Sequence, residues 1–497
     1  MANHKILMGR LISPSKYLFF LLTGCLLLVS IPLIWLAFYN HPSIVDDYCF
    51  AYTVMRFGVW ESQKMYYDGW TGRYFHNFIV HTSPLIWQWF GAYTVFPILL
   101  LTALWTGFFA LIRQLGRAVL TTAEQIAIAS GVCFLYITQL RSIAEFFYWY
   151  TGLAGYSLAC VFLLFLIGIF IAHHRQQTGW KSPFLMLEAL LVLAIIGSSE
   201  TWMVVMLSCL GFWALLSLIY HRTIPVTLII LLVWAGICSY AMVQAPGNAI
   251  RMGGNRLSQD MVFSALEAAK FGLIYFRDLV FQSAILPLSL LFVPIAYRLT
   301  DSRNPARAYF AIHAWLALGF YLGLLFILTF LHFWAVGGPP VARLLNVVNL
   351  VWVVGWFYTL TVFVRIFRGT IGKWTLLLRY QWPMVLAVTV VLGLQGYRNT
   401  NFRLTYEDLR YGRAQKYHQA MTARYQLMTS ARADTVVLPP LPVLPVSLAL
   451  DDLSYRSGDM FNDCWAGYFY RKGAKLHKIP VPAVSLKPVL SQIARKE

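Results

Sequence analysis

The sequence predicts an all-α polytopic membrane protein with about eleven transmembrane helices, amphipathic helices in the first outer loop and a small C-terminal outer domain. Three observations predict it. Of 497 residues, 59% are hydrophobic and only 12% charged, a balance foreign to a soluble globular chain. Apolar runs close to the roughly 20 residues that cross a bilayer recur along the whole length. Lysine and arginine are distributed unevenly among the segments between those runs.

The first run, 17 to 39, follows Lys5, Arg10 and Lys16 and precedes a polar loop. Its length and the lack of a small-residue cleavage site read it as a retained anchor with a cytoplasmic N-terminus. Further runs lie at 93–113, 123–140, 151–172, 184–199, 201–220, 224–243, 279–299, 310–334, 341–363 and 383–396. The predicted inner side, outside the tail, carries fifteen lysines and arginines, against nine in the outer loops. Basic residues stay on the cytoplasmic side, so the net charge of +19 is a topology signal and not a nucleic-acid surface. An odd number of spans places the tail outside, which divides the chain into a membrane core at 1–396 and an outer domain at 397–497.

The first outer loop, about 40 to 92, is too long for a connector and interleaves aromatic with charged residues. Such a segment suits short helices on the membrane surface, with rings at headgroup depth and charges in water. A second outer segment, 244–278, opens QAPGNAIRMGGNR, with turn formers around two arginines. The tail turns charged, then Pro-rich at 438–446, a stiff extended connector, then aromatic and polar at 461–470. Five of seven cysteines lie in apolar runs as small buried hydrophobes. Cys49 and Cys464 lie outside them on the predicted outer face; a disulfide between them would tie the first loop to the tail.

The residues that could carry chemistry gather on that outer face. Asp46 and Asp47 come just after the first span. A carboxylate there can deprotonate a hydroxyl or hold a divalent cation, and partial burial plus mutual repulsion would raise one pKa; it can equally be a helix N-cap. Downstream, YYDGWTGRYFHNFIVH sets Trp70, Arg73, Tyr74, His76 and His81 among aromatic rings, which suits a sugar or an interfacial belt. Arg251, Arg256, Lys270 and Arg343 are the cations suited to a phosphate. Glu200 stands at a membrane boundary, where an acid is costly and therefore a functional candidate. Arg141 and Glu145 are spaced to pair with each other. No P-loop, GxGxxG fingerprint or HExxH zinc site is present.

These residues resemble the C-type (GT-C) integral-membrane glycosyltransferases, and within them a bacterial group with DDYC, WTGRY and APGNAIR, here Asp46 to Cys49, Trp70 to Tyr74 and Ala245 to Arg251. The resemblance implies a multi-helix core in the bacterial inner membrane, a polyprenyl-phosphate sugar donor and an envelope glycan or lipid acceptor. It implies that Asp46 or Asp47 is the catalytic base, that the outer-loop arginines hold the donor phosphate, and that a single displacement inverts the anomeric carbon. No cofactor is implied. The spaced Asp-x-Asp of metal-dependent members is absent, so a divalent cation is not favoured. Asp47 is the preferred base, because it lies nearer the aromatic-rich loop. The competing classes are a flippase or transporter for a lipid-linked solute and a glycan polymerase or ligase; the lack of evident inverted repeats and the one-sided placement of the candidates speak against transport.

Overall fold

The computed structural model describes residues 14–176, 183–251, 257–373, 382–430, 435–456, 458–470 and 473–476. Within them the chain is overwhelmingly helical, an all-α polytopic membrane protein. Seven helices are long and apolar enough to cross a membrane, and an eighth span results if one bent pair counts once. Of the eleven predicted runs, seven, or eight with the bent pair, are spans by length and composition among the described residues. The runs at 184–199 and 383–396 become the shorter apolar helices Pro183–Ile196 and Pro383–Arg398. The run at 123–140 becomes the helix Thr122–Gln139, which carries Glu124, Gln125 and Gln139.

The predicted run 279–299 is broken. Met261–Phe281 and Ile285–Leu299 meet at 69°. Pro287 supplies the reason: in a continuous helix its ring would clash with the carbonyl of Ser283, one turn back. The Ser283 hydroxyl donates to the Leu279 carbonyl and accepts from the Ile285 N–H, so the old helix end and the new helix start are both satisfied.

The helix α1 (Pro14–Ala37) shows how an evenly apolar sequence divides its faces. Leu18, Leu22, Leu26, Val29, Leu33 and Leu36, spaced three or four apart, are buried, while Phe20, Leu28, Ile31 and Trp35 are exposed. The buried stripe packs against Thr122–Gln139, where Gly131 leaves room for Leu22. The exposed stripe is the face a bilayer would cover.

Three short helices fill the first loop: α2 (Asp47–Phe57), α3 (Val59–Gly69) and α4 (Tyr74–His81). Trp60, Trp70, Trp87 and Trp89 stay exposed around them. Beyond α1 the chain is clamped by Asn40, whose side-chain amide donates to the carbonyls of Tyr93 and Tyr148.

The tail folds onto this loop. Cys49 and Cys464 form a disulfide across 415 residues. Tyr48 packs against Trp465 and Tyr468 and donates its hydroxyl to Tyr425. Arg424, with 1% of its side chain exposed, makes a two-pronged ion pair with Asp452 and donates to the Pro439 carbonyl, pinning the Pro-rich stretch. Two four-residue strands, Thr435–Leu438 and Gly473–Leu476, pair in parallel. Buried residues of the tail, among them Tyr417, Met421 and Trp465, belong to the same apolar core as the helices.

Candidate functional site

The two aspartates are neighbours in sequence and differ in chemistry. Asp47 is the first residue of α2 and is buried. Its Oδ2 accepts from the Ser43 N–H at 2.8 Å, and its Oδ1 accepts from both the N–H and the hydroxyl of Thr151, at 3.1 and 2.7 Å. Burial pushes its carboxyl up to about 7, against the hydrogen bonds from Thr151 and Ser43. Both oxygens are thus occupied in holding the first loop to the start of a transmembrane helix.

Asp46 caps the same helix with φ of 72° and makes no side-chain cap bond. Its carboxyl has no hydrogen-bond partner among the described residues. That left-handed backbone costs of order 1–3 kcal/mol in a non-glycine residue and persists where the surroundings impose it. Burial raises the Asp46 carboxyl, and the charge of Arg343 opposes the rise. Tyr66 lies close enough for Asp46 to perturb it.

Arg343 is set by its own surroundings. Its guanidinium lies 3.6 Å from Glu145 and 5.4 Å from the centre of the Trp149 ring, and its backbone N–H donates to Glu145 at 3.1 Å. Glu145 therefore pairs with Arg343, which corrects the expected Arg141–Glu145 pair; Arg141 instead covers the Tyr275 ring at 4.8 Å. The Trp149 indole donates to the Val45 carbonyl, one residue before Asp46. Glu145 and Thr151 sit in or beside two π-helical turns, Ala144–Tyr148 and Leu153–Ser157. Such turns widen a helix by one residue and recur at functional sites.

The WTGRY and APGN segments lock together. The Gly72 N–H donates to the Asn248 carboxamide oxygen, and that carboxamide donates to the Met242 carbonyl. A Cβ on Gly72 would come within 2.0 Å of the Met242 carbonyl oxygen, and one on Gly247 within 2.4 Å of the Trp70 nitrogen. Arg73 donates twice to Glu200, at 2.8 and 2.5 Å, with Tyr156 beside it. Tyr74 donates to the Leu193 carbonyl, and its ring occupies the space a Cβ on Gly197 would need. Trp70 points outward and is 53% exposed.

His76 and His81 are buried, their Nδ1 atoms against the amide oxygens of Asn77 and Gln63. Burial lowers the first to about 3, helped by Arg73, and the second to about 4. Both are neutral imidazoles at neutral pH. Of the predicted phosphate cations, Arg343 comes within electrostatic reach of Asp46. Lys270 pairs with Glu267 one turn away on its own exposed helix face. Arg251 ends the short helix Pro246–Arg251, its side chain outside the described set, and Arg256 lies outside the described residues. No family model matches the chain, and no curated protein does.

Thr151 and Trp149 carry no role in the sequence reading, and Asn248 enters it only as part of APGNAIR. Trp149 lies within the aromatic run FFYWY and Thr151 just after it, and a Thr or Trp inside an apolar stretch gives no sign that it meets a loop 104 residues away, at Asp47 for Thr151 and at the Val45 carbonyl for Trp149.

Proposed function

We propose that the protein is a glycosyltransferase that moves a sugar from a polyprenyl-phosphate donor to a hydroxyl of a cell-envelope acceptor, on the outer face of the bacterial inner membrane. The observation that carries this reading is Asp46, a partly buried carboxylate free of structural hydrogen bonds, within electrostatic reach of Arg343 and bordered by Tyr66. A base needs a free oxygen aimed at the acceptor; Asp47 has both of its oxygens engaged. The role of base accordingly moves from Asp47 to Asp46.

In the proposed step the acceptor O–H gives its proton to Asp46 as the oxygen attacks the anomeric carbon. The bond from that carbon to the phosphate oxygen breaks, and its electron pair stays with the phosphate. Arg343 neutralises the charge that develops there. Glu145 and Trp149 hold the guanidinium in place. Attack opposite the leaving group inverts the centre.

Topology fits the same reading. The eight spans and the three shorter or more polar helices would complete an eleven-span core, with the N-terminus cytoplasmic and the tail periplasmic. A Cys49–Cys464 disulfide suits an oxidising compartment and requires loop and tail on one side.

The test is transfer by purified protein from a labelled polyprenyl-phosphate monosaccharide to envelope lipid acceptors. Asp46→Asn should lower turnover about 100-fold or more, the usual contribution of a general base. Undiminished transfer by that variant would overturn the assignment.

A further inference from the structure

A large apolar cavity lies at the far end of the helices from Asp46. The span Tyr150–Arg175 shows the separation: it starts beside Thr151, which holds Asp47, and ends at Arg175, roughly 35 Å away at helical rise. Around its second half opens a cavity of about 790 Å³. The lining is apolar, with Leu163, Leu210, Phe320 and Leu324 as examples, and it gains polar groups at one end from His174 and Tyr309.

That end carries an unsolved electrostatic problem. The Nε, Nη1 and Nη2 atoms of Arg175 are all buried, with no hydrogen-bond partner among the described residues. The hydroxyl of Tyr309 is equally buried and unpartnered. Arg175 has Tyr309 and Arg117 as electrostatic neighbours, and the His174 ring stands 6.2 Å from that of Tyr309. Burying a guanidinium without a partner is costly, and a second cation beside it makes the cost larger. An anion with several acceptor oxygens removes both penalties.

We propose that this end of the bundle binds an anionic lipid, with its phosphate on Arg175 and Tyr309, Arg117 alongside, and a hydrocarbon chain in the cavity. The cavity is of ligand size, within the ~300–1,000 Å³ range of small-molecule sites, and almost wholly apolar. A free anion would leave it unfilled, and a neutral lipid would leave the guanidinium unpaired. The site does not depend on the proposed transfer reaction, whose residues lie at the opposite end.

Binding to the purified full-length protein in a neutral detergent tests this, using long-chain phosphatidylglycerol, its dihexanoyl analogue, long-chain diacylglycerol and inorganic phosphate. Long-chain phosphatidylglycerol should bind about tenfold or more tighter than each of the others, since only it supplies both parts. Arg175→Gln should weaken it by a similar factor, Tyr309→Phe should weaken it less, and Arg175→Lys should keep most of it. Equal binding of diacylglycerol or of inorganic phosphate would overturn the proposal. Should Arg175→Gln not fold, unchanged affinity in Tyr309→Phe together with equal binding of the dihexanoyl lipid would overturn it as well.

Discussion

Asp47 Oδ1 accepts both the backbone N–H and the hydroxyl of Thr151, so one carboxylate staples the first loop to the start of a transmembrane helix. Its neighbour Asp46, which makes no side-chain cap bond, stands beside it with a left-handed backbone. The two aspartates should consequently fail in different assays when substituted.

Asp47 should make stability fall as pH rises. Its carboxyl is pushed up to about 7 in the folded protein, against about 4 in an unfolded chain. Between those values the unfolded chain gives up the proton while the folded one keeps it, so each step up in pH favours unfolding until the folded group ionises. The melting temperature in detergent should decline from about pH 5 to pH 7, and Asp47→Asn should flatten that decline. An unaltered slope in the variant would refute the linkage.

Arg343 should set the acid limb of the transfer rate. Its charge opposes the rise that burial imposes on the Asp46 carboxyl. In Arg343→Gln the limb of kcat/KM should move to higher pH, and maximal turnover should drop through loss of leaving-group stabilisation. Glu145→Gln, which removes a negative charge 3.6 Å from the Arg343 guanidinium, should move the limb the opposite way, to lower pH, while lowering maximal turnover less. A limb that stays put in Arg343→Gln would separate Arg343 from Asp46.

Asn248 should matter for stability although it lies outside the proposed chemistry. Its carboxamide joins the Gly72 N–H to the Met242 carbonyl. Asn248→Ala should cost about 1–3 kcal/mol by leaving those partners unpaired. Gly72→Ala should cost more, because its Cβ would come within 2.0 Å of a backbone oxygen. Thermal unfolding of both variants checks the order.

The disulfide should leave five free thiols, Cys25, Cys133, Cys160, Cys209 and Cys238, in the denatured, non-reduced protein. Thiol labelling with mass spectrometry counts them, and a count of seven would exclude the bond. Cys464→Ser should lower stability by about 2–4 kcal/mol, with protease cleavage of the tail as an early sign.

Much of the fold was legible because a bilayer imposes simple demands. Apolar length gave seven of the spans, and the aromatic and charged first loop marked its short helices. Apolar length is a poor guide where a helix is short, as at Pro183–Ile196, or partly polar, as at Thr122–Gln139, which buries Gln125 and Gln139 against its neighbours. The break at Phe281 was missed although Pro287 was in view: a proline early in a helix is tolerated, and only the chain direction beyond it reveals a 69° turn.

Read alone, the sequence determined the class of the protein and a short list of candidate residues, because composition and charge placement are properties of each segment by itself. Which members of that list meet was decided by tertiary structure. Asp47 took Thr151, Glu145 took Arg343 in place of Arg141, and Asn248 took Gly72, each across more than a hundred residues. Hydrogen bonds act over about 3 Å, and a distance of that order between remote segments exists only once the helices have packed.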